Sequence, residues 1–341
     1  MSYRDGKVSG VKTGPAPDPR GSLAGWLPPF AALALIWGSS FLLIKVGVRE
    51  LHPLYVTLGR VAAGALTLLA ILAITRTPLP RDRRLWVHML VTATVGVALP
   101  FSLFGFGEQR VSSVLAGIWN ATTPLVALPL AVLAFRTERI TARRVAGVAL
   151  GFLGVLVVLG VWHGVGGAQL TGQLMCLGAA ACYGVAIPYQ KRFVAGRPES
   201  GLAISAAQLI VGTALLAVVT PLAAGAPPAP TTLSGDVVAA VLALGSLGTG
   251  VAFVLNFRII RIAGASTSAS VTYLMPVVAS VIGVLALHEH VVWYQPAGAV
   301  LILVGVAVSQ GVLRRRRPRP LAPEPGPAVA PPPVPEASPS V

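Results

Sequence analysis

Ten apolar runs, each about 18 to 23 residues long and separated by short polar turns, occupy residues 28–47, 55–75, 86–106, 113–134, 142–161, 170–190, 202–222, 236–257, 265–287 and 292–312. About 20 such residues carry a helix across the hydrocarbon core of a bilayer. No water is available there to backbone N–H and C=O groups, so a spanning run must satisfy them within itself, as a helix does. The chain is therefore expected to be an all-α integral membrane protein with ten transmembrane helices. Composition agrees: 55% of the 341 residues are hydrophobic and 11% charged, with a mean hydropathy of +0.77. That leaves too little polar surface to cover a water-soluble globule.

A formal net charge of +15 in a soluble chain would suggest a nucleic-acid partner. Here Lys and Arg fall in short clusters between the apolar runs, so no nucleic acid is expected and the charge reads as topology. With the N-terminus inside, 22 of the 26 Lys and Arg residues lie in cytosolic segments, Arg49 and Arg110 stay outside, and Lys45 and Arg60 fall within spans. Both termini are then cytosolic, and the protein is a multi-pass protein of the cell membrane. Residues 1–27 read as a disordered cytosolic leader and 313–341 as a basic, then proline-rich, disordered cytosolic tail. The first run has no small-residue cleavage site after it, so it reads as a retained span. Cys176 and Cys182 sit six residues apart on one span, about 9 Å along its axis, too far for a disulfide.

The runs also repeat. Pro124 recurs as Pro276 after 152 residues, and Glu138, Gly147 and Gly154 recur as Glu289, Gly298 and Gly305 after 151. Earlier in each half, Trp37-Gly38 with Lys45 is echoed by Tyr183-Gly184 with Lys191, and Gly64 by Gly212. Residues 28–161 and 170–312 are therefore expected to be two repeats of five spans. Five is odd, so the second repeat enters from the opposite side and the two are inverted. In secondary transporters that arrangement puts a substrate site near the bilayer midplane, between the repeats.

Several residues carry a resemblance: Trp37-Gly38-Ser39-Ser40-Phe41 with Lys45, Arg60, Pro124 followed by Glu138-Arg139-Ile140-Thr141 and Gly147, and Pro276 with Glu289 and Gly298. On these the chain resembles the drug/metabolite transporter superfamily, specifically proteins with two EamA-type repeats, over about residues 28 to 312. The resemblance implies a ten-helix exporter of small metabolites or drugs working by alternating access, with spans one, three, four, six, eight and nine around a central cavity. The chain departs from the family at His288-Glu289-His290, where Gly-Glu-Arg or Gly-Glu-Pro is usual.

Candidate cavity residues follow from chemistry that is costly in lipid. Pro124 and Pro276 each remove a helical hydrogen bond and free the carbonyls of Asn120 and Thr272. Trp119, Asn120, Thr272 and Tyr273 lie one turn before them and supply donors and aromatic faces. The bland alternative is a kink whose carbonyl is satisfied by Thr122 or Thr123. Lys45 and Arg60 are charged within spans, where a charge costs at least ~2.5 kcal/mol at the bilayer centre and tends to mark a pathway. Lys45 has a second reading, snorkelling to the headgroups. Trp37, Ser40 and Tyr183, at the matched starts of the two halves, complete the expected lining. A positive cavity suits carboxylate-bearing or zwitterionic small-molecule substrates. Glu108 ends span three at the outer face, and Glu138 and Glu289 read as helix-end turn residues. Gly147, Gly151, Gly154, Gly298 and Gly305 are expected to pack backbone to backbone, joining the two halves or two protomers of a homodimer.

Enzyme chemistry is not expected. His288-Glu289-His290 lacks the i, i+4 spacing of a zinc-peptidase helix, and no phosphate-binding glycine loop is present. Neither a metal nor a cofactor is implied. A membrane-embedded enzyme or lipid-handling protein, the main alternative, would need nucleophile, base or metal-ligand clusters that the sequence does not offer. A sensor would need a foldable soluble output domain.

Overall fold

The computed structural model of the protein describes residues 23–135, 140–160, 162 and 167–310. Most of the leader, the turn holding Glu138, and the tail lie outside the described residues. Among the described residues, nine helices are long and apolar enough to cross a membrane: α1 (Gly25–Gly47), α2 (Pro53–Ile74), α3 (Arg83–Glu108), α4 (Ser113–Leu133), α5 (Ala142–Leu159), α6 (Gly167–Phe193), α7 (Gly201–Ala224), α8 (Gly235–Ala263) and α9 (Thr267–Leu287). A tenth, α10 (Tyr294–Gln310), has 17 residues, about 25 Å at 1.5 Å each. Its counterpart in the repeat, α5, is also short at 18 residues. Large apolar side chains face outward along the bundle, Leu66, Leu133, Leu222 and Leu285 among them, as lipid requires. Trp162 stacks on Trp293 at 5.9 Å, with Tyr294 against both, an aromatic anchor of the kind that marks a membrane interface.

Local chemistry sets the helix ends. Asp82, Ser112, Thr141 and Ser200 each accept a backbone N–H of the first turn of α3, α4, α5 and α7, filling donors that have no partner inside the helix. Gly160 at φ 61° and Gly264 at φ 87° stop α5 and α8 in a region that glycine adopts without strain. Two helices overrun the expected spans by five residues or more at one end. The first begins at Leu23, inside the expected leader. The eighth runs to Ala263 rather than 257 and carries Arg258 and Arg261 on helical turns, because arginine favours helix and nothing breaks the backbone before Gly264.

Glycines bring the repeats together. A Cβ on Gly38 of α1 would fall 2.5 Å from Val278 of α9, and one on Gly184 of α6 would fall 2.8 Å from the Cβ of Val126 in α4. Each repeat's first helix thus packs on the other repeat's fourth. On the far side α5 and α10 meet backbone to backbone. A Cβ on Gly305 would lie 2.6 Å from the Gly147 carbonyl oxygen, and one on Gly298 2.8 Å from that of Gly154. The glycine stripe therefore joins the two halves of one chain, the first of the two readings the sequence left open. Cys176 is buried, Cys182 half-buried, and both are free thiols.

Candidate functional site

Four irregular segments meet at the centre of the bundle, two from each repeat. In α4 the helix Ser113–Asn120 ends, Ala121 and Thr122 turn, and a new helix Thr123–Leu133 starts with Pro124 in its first turn. In α9 a 3-10 turn, Ser270–Tyr273, gives way to Met275–Leu287 with Pro276 in its first turn. The prolines therefore sit at helix starts, where a missing N–H costs no helical bond. The carbonyls one turn earlier are not simply freed. Thr123 Oγ1 donates to the Asn120 carbonyl at 2.8 Å and Thr122 Oγ1 to that of Trp119 at 2.7 Å. For α4 the bland alternative holds, because the threonines that follow the break cap the ends it exposes.

The other two irregularities are π turns. One is followed at once by a proline, Pro100, whose missing N–H leaves the Gly96 carbonyl without its helical donor, and the other has no proline near it. Helix α3 widens into a π turn over Thr94–Ala98, and α8 does so over Ser246–Val251. Segments of this kind recur at functional sites, and here they are related by the repeat, since Gly96 and Gly248 are 152 residues apart.

Between these four segments lies a cavity of about 390 Å³. Helices α1 to α4 of the first repeat and α6, α8 and α9 of the second contribute to its lining. Trp37, Ser40, Arg60, Asn120, Pro124, Tyr183 and Thr272 all line it. Helix α2 joins the wall through Arg60, beyond the six spans that the resemblance implied. The unforeseen members include four aromatic rings and two glycines, Phe41, Phe101, Phe104, Phe253, Gly96 and Gly248, the rest being aliphatic side chains, Thr123 and Met275. Among the lining residues Arg60 is the one cation, and none is Asp or Glu. Its guanidinium carbon lies 3.6 Å over the Phe101 ring, and its Nε donates to Thr249 Oγ1 at 3.1 Å. Thr249 belongs to the π turn of α8, and its hydroxyl also donates to the Leu244 carbonyl at 3.2 Å. One face and one N–H of the guanidinium are thus committed to the protein.

Four expected residues stand elsewhere. Lys45 Nζ donates to the main-chain carbonyls of Glu108 and Val111, the latter at 2.7 Å, so its charge caps the end of α3 instead of facing the cavity. Trp119 is fully buried, and its indole N–H donates to Gln173 Oε1 at 3.3 Å. One residue from Asn120 is about 100° around a helix, which turns Trp119 into the core. Tyr273 packs against the main apolar cluster, and Pro276 is buried in the first turn of its helix, past the break that points Thr272 inward.

At one end of the bundle the halves are tied by carboxylates. Glu289 Oε1 accepts the Ser113 N–H at 2.8 Å, and Oε2 accepts the Ser113 hydroxyl at 2.9 Å and the Val114 N–H at 3.1 Å. A helix-end role was expected for Glu289. The helix end that it caps belongs to the other repeat. Glu50 does the same for Ser234 at the start of α8, accepting its N–H at 2.8 Å and its hydroxyl at 2.6 Å. Buried Phe41, Ile44 and Phe104 close the cavity toward that end, while Ala127, Ile187, Phe253 and Ala269 line it toward the other. There Arg197 pairs with Asp82 at 2.7 Å, and His88 Nδ1 meets the Tyr189 hydroxyl at 2.9 Å.

Known proteins share this architecture. The chain is 26% identical over 287 residues to an uncharacterized transporter of Bacillus subtilis, YoaV, covering 84% of this chain and 96% of the relative. It is 28% identical over 276 residues to an uncharacterized inner membrane transporter of Escherichia coli K12, YedA, covering 75% and 82%. A chain of known crystal structure shares the fold, with a TM-score of 0.60 at 21% identity over 85% of this chain and 99% of its own length. The sequence pattern of the EamA-like transporter family matches twice, at residues 26–160 and 170–310. With both repeats matched and a cavity between them, this chain belongs to the EamA-like transporter family of the drug/metabolite transporter superfamily, a family of membrane transporters and not of enzymes.

Proposed function

We propose that the protein exports a small organic molecule bearing a carboxylate, alone or in a zwitterion, and an apolar body across the bacterial plasma membrane by alternating access. The observation that carries this is the lining of the cavity, where Arg60 supplies a positive charge, no lining residue is Asp or Glu, and the aromatic rings supply apolar walls. A guanidinium that no carboxylate lining the same cavity neutralises favours an anion there, which it binds with charge-assisted hydrogen bonds. About 390 Å³ suits a small metabolite. The clustering of Lys and Arg supports cytosolic termini. In that orientation the end tied by Glu289 faces outward and the cavity is lined toward the cytosol, as an exporter loading its substrate requires.

The direct test compares solutes in the medium and inside cells with and without the protein, alongside cells carrying Arg60→Gln. Carboxylate-bearing solutes should rise outside and fall inside with the wild type, and the variant should erase the difference. Accumulation inside the expressing cells, or a difference confined to amines, would overturn the reading.

A further inference from the structure

Glu108 ends α3, a position that reads as an exposed helix terminus. Instead the side chain is fully buried, and neither carboxyl oxygen has a hydrogen-bond partner among the described residues. Lys45 is close, but its ammonium is spent on the main-chain carbonyls of Glu108 and Val111. The other ionisable groups that act on this carboxyl are Arg60 on α2 and Glu289 beyond α9, and Cys176 faces it from α6. At the same end Arg110 donates to the Phe106 carbonyl, and the His52 ring stacks edge-on against Phe106. Two unpartnered oxygens on a buried acid are costly when the group is ionised, and a proton removes that charge.

We propose that Glu108 is a proton-binding site, and that its proton exchanges with water only when the Glu289 end of the bundle opens. The two events share one place. Glu289 holds the start of α4, and Val111, in the turn between Glu108 and that helix start, is gripped by Lys45. Parting the repeats there draws Glu289 from Ser113 and Val114 and admits water to Glu108. A carboxyl that is dry in one state and wet in the other carries a proton through the cycle, which makes protons the coupling ligand. This rests on the transport reading above, but the test needs no transported solute, so the two can fail separately.

The experiment uses infrared spectroscopy of the purified full-length protein in lipid nanodiscs. The carbonyl stretch of a protonated carboxyl should be present at neutral pH in the wild type and lost in Glu108→Gln. In deuterated buffer the band should shift slowly, at the rate of opening. The shift should be faster in Glu289→Ala and, with one hydrogen bond removed, in the milder Ser113→Ala. No such band in the wild type, or a shift complete on mixing, overturns the proton site. A rate unchanged in both latch variants, each folded as judged by thermal unfolding, overturns the link to opening.

Discussion

Arg60 offers the sharpest test of the cavity. Its Nε is occupied by Thr249 and one face by Phe101, so the remaining guanidinium edge is what a ligand would meet. A hydrogen bond to a charged partner contributes about 1.5–3 kcal/mol. Arg60→Gln should therefore weaken a carboxylate ligand by about 10- to 150-fold. The matched pair 3-phenylpropanoate and 3-phenylpropanamide isolates the charge, since the neutral amide forfeits only about 0.5–1.5 kcal/mol, or about 2- to 12-fold. Arg60→Lys keeps the charge but not the fork or the stacking, and should fall between. Because Trp37 lines the same cavity, its fluorescence in nanodiscs reports binding. If Arg60→Gln binds both compounds as the wild type does, Arg60 is a structural tie between α2 and α8 and the anion argument fails.

Other consequences follow from the geometry. A Cβ on Gly305 would lie 2.6 Å from the Gly147 carbonyl; overpacking of this kind costs about 1–3 kcal/mol, so Gly305→Ala should unfold at lower temperature in detergent, and an unchanged Tm would refute the α5–α10 seam. Asn120→Ala should weaken binding by about 2- to 12-fold at unchanged stability, whereas Tyr273→Ala should reduce stability and spare binding. The reverse pattern in parallel fluorescence titrations and melts would move the site. Single cysteines at Pro228 and Arg83, with Cys176 and Cys182 replaced, should react with a membrane-impermeant thiol reagent on intact cells at 228 and not at 83. Labelling at 83 alone would invert the proposed topology.

Much of this architecture could be read from residue order. Run length implies helices because lipid leaves the backbone no other partner. Paired prolines mark the broken spans because their lost N–H is independent of context. Arg60 stood out because a charge within a span needs a reason. What stayed hidden depended on helical phase and on contacts between distant helices. Nothing local distinguishes Asn120, which faces the cavity, from Trp119, which faces the core. The long stem of Lys45 allowed several destinations, and only the arrival of the Val111 carbonyl chose one. Glu108 sits where helices normally meet water, and its burial comes from α1, α2 and α6 closing over it. Pro100 marked the π turn of α3, since its missing N–H would have bonded the Gly96 carbonyl, but the one at Ser246–Val251 left no signal, with no proline near it.

Those π turns also decide which way half of each helix looks. A π turn is an ordinary helix holding one surplus residue, and in an α-helix each residue turns the chain by about 100°. Everything after Ala98 in α3 is therefore set about a quarter turn or more from where an uninterrupted helix would leave it. Phe101 and Phe104 owe their view of the cavity to that offset, and Glu108 its place away from lipid. Removing a single residue from the loop-like bulge would spare every side chain that touches Arg60 or the proton-binding carboxyl, yet would swing them all to another compass bearing. An insertion too small to alter the hydropathy of the chain thus acts as the keying that aligns the inner wall of the first repeat with that of the second.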